Sequence, residues 1–578
     1  MEKISKPGEY KGYSEKQYDT HIVTSQYIEM RDGTRLAADI YRPAVNEAPV
    51  STPLPVIFQH SMGRGMVRPD GKVIRGHMLR GVLELVKYGY VVAEIDRRGM
   101  GASYGTRRGY HDITENKDAH DITEWLASQP WSNGNIGVVG CSNMGEAAMH
   151  VAIEMPPHLK AIFAGCYNWN KYDGFLRGGI RANWGAGPDR TAEQDLQSAL
   201  VDDDTDTSML REAVEQHREN TSLRELWRTM PYRDSHSKLT DSPFWIEGSE
   251  STYEEYIEKT GVAIYTYGGW FDDFRTQGLV TLTNLTNPGK ILIGPWQHCA
   301  TDNFDIAAER LRFFDYWLKG VDNGIMKEPP VRYYTIHAPE GKQWRFTDQW
   351  PLSEEQRTRL IFTGGESGTF ASINDGMLMI EETAEIRFAT SSWEDNGLYK
   401  DVYITDYSVS CPPNWPMLSQ TCVLDEKGLT YTSKPVPSDL EITGCPVAHI
   451  WISSTATEAN IFAYLEDVDP DNDTEIITDG RLRASLRQCN KPPYNYLGLP
   501  WHRSNSEDVK PLVPGEPVEL IFDMLAISWI IKTGHRLRVT ITAADPREFE
   551  REEMIPPPEI TLYRDNIHLS YIDIPVIP

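Results

Sequence analysis

The chain is poor in cysteine, with seven in 578 residues, at 141, 166, 299, 411, 422, 445 and 489. The number is odd and no CxxC pair supplies metal-ligand spacing, so neither a disulfide framework nor a zinc site is expected. We read all seven as reduced thiols. No apolar run approaches the length of about 18 residues that a membrane span needs. The stretch from Met1 to Tyr18 is polar and lacks the apolar segment of a signal peptide. Positive charge is also in short supply, with 57 Lys and Arg against 84 Asp and Glu and a net charge of -27. A polyanion is repelled by nucleic acid and by anionic membranes, which excludes both as partners. There is no solenoid-type repeat. These absences leave a soluble, cytoplasmic protein without cofactor or metal, its partner a small molecule, with homo-oligomerisation open.

What is present is a large supply of aromatic residues, 16 Trp and 28 Tyr among them, and enough chain for roughly two to four domains. Up to about residue 166, short apolar runs alternate with helical patterns. Ile28–Met30 and Leu36–Tyr41 flank an Asp32-Gly33 turn. Leu54–Gln59, Tyr90–Asp96, Ile136–Gly140 and Leu159–Ala164 read as buried strands, with helices over Leu79–Lys87, Ile113–Ser128 and Met144–Ile153. Val262–Tyr267 and Lys290–Ile293 resume the pattern. Continuous apolar strands alternating with helices imply a parallel sheet covered on both faces.

Residues 167–252 break this rhythm. They are charged, helix-prone and carry Trp169, Phe175, Trp184 and Trp227, as expected of a helical cap inserted between core segments 1–166 and 253–342. Its acidic run Asp202–Asp206 reads as a solvated loop or helix start without chemistry. Beyond residue 343 the period becomes two, with Arg536–Ile541 alternating almost strictly, and 343–578 reads as a β-sandwich or jelly roll. Asp467–Asp473 resembles a calcium loop superficially, but lacks the glycine and glutamate that such a loop requires and reads as a turn.

The most informative stretch is Ile136–Gly145, where an apolar strand enters small residues, then Ser142, then a helix. A nucleophile elbow needs that context: the turn is so tight that only small neighbours fit. A serine hydroxyl at neutral pH also needs a base, and the base an orienting carboxylate. In this fold both follow the serine in the order acid, then His, each after a core strand. Asp272 stands so in Gly268–Asp272, and His298 in Gly294–His298. Cys141 and Cys299 are each one residue off a triad position, and read as small residues filling tight space.

These motifs carry a resemblance. Together with Asp96–Ser103, Trp131–Gly137, Leu429–Ser433, His502–Asn505, Pro514–Pro517 and Gly534–Leu537, the chain resembles the cocaine esterase/X-prolyl dipeptidyl aminopeptidase (CocE/NonD) family, which includes glutaryl acylases and α-amino-acid ester hydrolases. The resemblance spans nearly the whole chain. It implies an α/β-hydrolase core, a helical cap and a C-terminal jelly roll, with Ser142 as nucleophile, Asp272 as acid and His298 as base. It implies a serine hydrolase cleaving a small ester or amide; acyl transfer or cyclisation with the same triad, or ligand binding alone, are the alternatives. Two departures stand out. Asn143 replaces the Tyr that usually follows the nucleophile, though its main-chain N–H still serves as an oxyanion donor. The loop His60–Gly65 lacks the family's Tyr donor, and losing one such donor costs about 3 kcal/mol. The N–H of Met62 is the expected replacement, with the side chain of His60 or Ser61 as second choice. Phe274, Trp169, Trp184 and His60 are the expected substrate contacts.

Overall fold

The computed structural model describes residues 2–182, 189–368, 372–381, 400–408, 424–545 and 553–578. Its first sheet is built from strands β1 (Thr20–Glu29), β2 (Arg35–Val45), β3 (Leu54–Ser61), β4 (Val91–Asp96), β5 (Ser132–Cys141), β6 (Leu159–Gly165), β7 (Ala263–Phe271), β8 (Gly289–Gln297), β9 (Val331–Tyr334) and β10 (Trp344–Thr347). They lie in the order β1-β2-β4-β3-β5-β6-β7-β8-β9-β10. From β4 to β9 all neighbours run parallel, and antiparallel pairs occur only towards the edges. Helices α1 (Ile113–Ser128), α2 (Asn143–His150), α3 (Arg275–Asn284) and α4 (Ile306–Lys319) connect these strands. The central strands are buried almost throughout because helices pack on both faces. α4 comes so close to β5 that a Cβ at Gly137 would meet the Phe314 ring at 2.8 Å.

The expected helix over 79–87 is instead two 3₁₀ segments, His77–Leu79 and Val82–Tyr88. Arg80 and Gly81 have φ of 44° and 83°, and consecutive left-handed residues cannot continue a right-handed helix. Between β6 and β7 the expected cap contains short helices, among them Lys171–Phe175, Ser208–His217 and Leu223–Arg228. In the acidic run Asp204 is buried and accepts the N–H groups of Met209 and Leu210 at 3.2 and 2.9 Å, as a cap for the second of these.

β10 lies beyond the expected core limit of 342, because it pairs antiparallel with β9, Val331 opposite Thr347. The second sheet system starts at Gln356–Thr363 and runs to Tyr571–Ile577 as the C-terminal β domain. There the calcium-like run is a turn between Asn460–Val468 and Thr474–Arg483, with the Asp469 carboxylate accepting the N–H groups of Asp471 and Asp473. The two sheet systems meet through buried polar contacts. Arg177 of the cap pairs with Asp479, and Arg275 reaches the Ala526 carbonyl at 2.7 Å and Thr478 Oγ1 at 3.0 Å.

Candidate active site

β5 ends at Cys141 and α2 begins at Asn143, so Ser142 alone makes the turn, with φ 60° and ψ -131°. Such a conformation costs a non-glycine residue of order 1–3 kcal/mol and persists only where its surroundings enforce it. They do so through two glycines. A Cβ at Gly140 would lie 1.8 Å from the Met144 carbonyl oxygen, and one at Gly145 would lie 2.4 Å from that of Gly165. The Ser142 N–H donates to Gly165 O at 2.9 Å, and its carbonyl accepts from Gly145 and Glu146 at 2.7 and 3.0 Å.

Asp272 follows β7 and is fully buried. Its two carboxylate oxygens lie 3.1 and 3.0 Å from His298 Nδ1, and Oδ1 also accepts the Phe274 N–H at 3.3 Å. His298 follows β8 on an exposed loop. Partial loss of solvent around the ring opposes its charged form, but the charge and hydrogen bond of Asp272 outweigh this and raise its pKa above the usual 6.5. The structure thus brings the acid and the imidazole together, at strand ends next in line to the elbow. Among the described residues no hydrogen bond joins Ser142 Oγ to His298; such contacts often tighten only once substrate is bound.

The substitution at 143 has a structural counterpart. Asn143 Oδ1 is held by the Arg97 guanidinium, which also pairs with Glu115 and stacks on Tyr110. The Asn143 carbonyl lies 2.9 Å from His111 Nε2. On the other side of the ring, His111 Nδ1 lies 2.6 Å from the Glu146 carboxylate and 3.0 Å from Lys171 Nζ. Burial and the nearby Lys171 and Arg97 cations keep this histidine neutral. The Asn143 peptide is therefore fixed from two sides, and its N–H heads α2, where the first donors have no intrahelical acceptor. β3 runs parallel beside β5 with Phe58 opposite Val138, and Met62 follows the end of β3 as Ser142 follows the end of β5. Neither the Asn143 nor the Met62 N–H has an acceptor among the described residues.

The expected substrate contacts divide. Phe274 is nearly buried, with its ring centroid 5.4 Å from that of His298 and 6.3 Å from Phe175, which in turn packs tilted against Trp227 at 4.5 Å. Trp169 is instead a core residue, fully buried with its ring against Tyr494. His60 is likewise buried, because β3 is covered on both faces at its C-terminal end; desolvation and the Arg97 charge keep it neutral, and its Nε2 lacks a partner among the described residues. Both side chains are buried, Trp169 at 0% and His60 at 2% exposure. Trp184 lies outside the described residues.

The cysteine reading requires correction. Cys141 and Cys299 form a disulfide across 158 residues, whereas Cys166, Cys445 and Cys489 are free. Residues one position off the triad do not point away here, because β5 and β8 deliver Cys141 and Cys299 to one rim. Arg275 escaped notice for a related reason. Its Nη1 donates to the Asp272 carbonyl at 3.2 Å while the rest of the guanidinium grips the C-terminal domain, and only a charged residue directly after Phe274 hinted at it.

Fold and site together define a serine hydrolase of the α/β-hydrolase fold. Residues 32–300 match the X-Pro dipeptidyl-peptidase (S15 family) profile, and 323–568 match the X-Pro dipeptidyl-peptidase C-terminal non-catalytic domain. The chain belongs to this family, on its CocE/NonD branch. It is 30% identical to a candidate serine esterase of Mycobacterium bovis, over 96% of this chain and 95% of the relative. It is 25% identical to the cocaine esterase of a Rhodococcus strain, over 92% of each. A CocE/NonD family hydrolase from Staphylococcus aureus shares the fold with a TM-score of 0.70 at 18% identity, over 96% of this chain and 94% of that one. Among the described residues no helix is long and apolar enough to cross a membrane.

Proposed function

We propose that this enzyme hydrolyses a carboxylic ester of a small organic molecule through an acyl-serine intermediate, with Ser142 as nucleophile, His298 as base and Asp272 as its orienting acid. His298 takes the proton of Ser142 as the hydroxyl attacks the ester carbonyl. The resulting oxyanion accepts the main-chain N–H of Asn143 and that of Met62, the latter in place of the family's Tyr hydroxyl. His298 then protonates the leaving alcohol, and water repeats the sequence on the acyl-enzyme. The aromatic wall from Phe274 through Phe175 to Trp227 favours an apolar group beside the imidazole. Relatives named as esterases favour an ester over an amide.

The observation that carries this reading is the buried Asp272 hydrogen-bonded to His298, near a half-buried serine forced into a tight turn. A fluorophosphonate probe tests it: it labels the native protein at Ser142 and leaves Ser142→Ala unlabelled, while p-nitrophenyl butyrate is hydrolysed only by the former. Labelling that survives Ser142→Ala defeats it. A cytoplasmic location is part of the proposal, supported by the three free thiols and checked by cell fractionation. Cys411 and Cys422 lie outside the described residues; a single disulfide among the described cysteines, placed at a reactive site, suits a redox-responsive cytosolic protein better than a secreted scaffold.

A further inference from the structure

The sulfur atoms of Cys141, Cys166 and Cys299 lie within 4.8 Å of one another. Each sits beside a different member of the triad. Cys141 immediately precedes Ser142, Cys299 immediately follows His298, and Cys166 Sγ lies within 4.8 Å of ligand atoms of both Asp272 and His298. The Cys299 N–H donates to Cys166 Sγ at 3.3 Å. Cys166 and Cys299 both have positive φ, 51° and 58°, a conformation that non-glycine residues hold only when the surroundings impose it. The Cys141–Cys299 pair has a Cα–Cα distance of 6.0 Å, within the usual disulfide range of roughly 4.4–6.8 Å.

The acid and the base are secured differently. Asp272 is buried and its main chain is gripped by Arg275. Gln297, the last residue of β8, and His298 are exposed, and the turn after them is held by the Ala300 N–H to Gln297 O bond at 3.1 Å and the Cys299 N–H to Cys166 Sγ bond at 3.3 Å. The covalent tie from Cys299 to the end of β5 is what joins this exposed loop to the nucleophile strand. A misplacement of about 1 Å between reacting groups can cost up to a hundredfold in rate.

We propose that the Cys141–Cys299 disulfide is a reducible staple that positions His298 against Ser142, with Cys166 packed behind it, so that a dithiol reductant lowers turnover reversibly. This rests on the triad reading above. Cys299 is half-exposed whereas Cys141 is buried, so a thiolate of the reductant attacks Cys299 Sγ. The S–S bond breaks, and Cys141 leaves as thiolate and takes a proton. The reductant's second thiol then closes on the mixed disulfide, freeing Cys299 as a thiol; the dithiol is oxidised and two protein thiols result. Cys166 does not open the bond itself. Burial and the adjacent Asp272 carboxylate hold its thiol well above the usual range, so it stays protonated.

The test uses the full chain purified without reductant and p-nitrophenyl butyrate as substrate. Dithiothreitol lowers kcat by about tenfold or more with KM within about twofold, as expected when reacting groups drift but substrate still binds, and reoxidation restores it. Cys299→Ser stays at the low kcat and ignores dithiothreitol, while Cys489→Ser, at an exposed thiol elsewhere, responds like the native protein. Near-ultraviolet circular dichroism stays unchanged on reduction. The proposal is overturned if reduced protein and Cys299→Ser turn over like the oxidised enzyme, if the fall in kcat goes with lost dichroism, or if non-reducing peptide mapping finds Cys141 and Cys299 as thiols. Fluorophosphonate labelling of oxidised protein separates the two readings. Labelled Ser142 with no redox response defeats the staple alone, whereas unlabelled Ser142 defeats the triad.

Discussion

The two halves of the proposed catalytic centre are held by different physics. On the nucleophile side the constraint is local and steric: Gly140 and Gly145 leave no room for a Cβ, and the backbone of Ser142 is driven to φ 60°. On the acid–base side the constraint is remote. Asp272 depends on Arg275, which anchors in the C-terminal domain, and His298 depends on Asp272 and on a loop tied to β5 through Cys299. An element defined by sterics is broken by adding one methyl group. An element defined by long-range bonds is broken by removing a distant partner, and it fails in position before it fails in fold.

Each half can be struck separately. The largest effect falls on the chemistry itself: Ser142→Ala lowers kcat by at least about 10⁴-fold, measured by ester hydrolysis at saturating substrate. Asp272→Asn comes next, with a loss approaching about 10⁴-fold because the imidazole loses its orienting partner. Its residual activity also carries a pH signature. Only neutral His298 can accept the serine proton, so kcat/KM rises as pH rises through its titration. Asp272 stabilises the imidazolium and places that midpoint above 6.5 in the native enzyme. In Asp272→Asn the acidic limb therefore moves to lower pH, and a pH–rate profile that does not move contradicts this role.

Smaller effects probe the supports. Gly145→Ala puts a methyl group against the Gly165 carbonyl and costs about 1–3 kcal/mol of stability, read in urea unfolding, together with a fall in kcat as the elbow opens. Arg275→Met leaves the elbow intact but frees the acid loop. It loses hydrogen bonds to Asp272, Ala526 and Thr478, which lowers stability by about 1–3 kcal/mol, and kcat falls further than KM rises. Phe274→Ala has the mildest effect: it removes apolar surface beside His298, raising KM for a butyrate ester by about tenfold with kcat little altered. If Arg275→Met and Gly145→Ala change unfolding and turnover in the same ratio, the distinction between the two halves is wrong.

The elbow was legible in the sequence because its determinants are adjacent: an apolar strand, small residues and a helix start within ten positions. The acid and the imidazole were legible because each follows a recognisable β-strand in a fixed order. The substrate contacts were less so. Phe274 packs beside His298, but a Trp such as Trp169 has the same composition signature whether it lines a pocket or fills a core, and burial decides which. His60 follows the same logic, since a polar residue near a strand end gives no sign of whether a helix covers it. The clamp on Asn143 by Arg97 and His111 unites residues 32 and more positions apart, with no pattern in the sequence to link them.

The sequence by itself determined what depends on neighbours along the chain: the alternation that makes a covered parallel sheet, the glycines that permit the turn at 142, and the order of serine, acid and histidine. Tertiary structure alone decided which distant groups meet, namely the pairing of Cys141 with Cys299 and the hold of the β domain on Asp272 through Arg275. The reason is geometric: backbone propensity and steric exclusion act over a few residues, whereas a disulfide or a guanidinium bridge depends on where separate strands end in space.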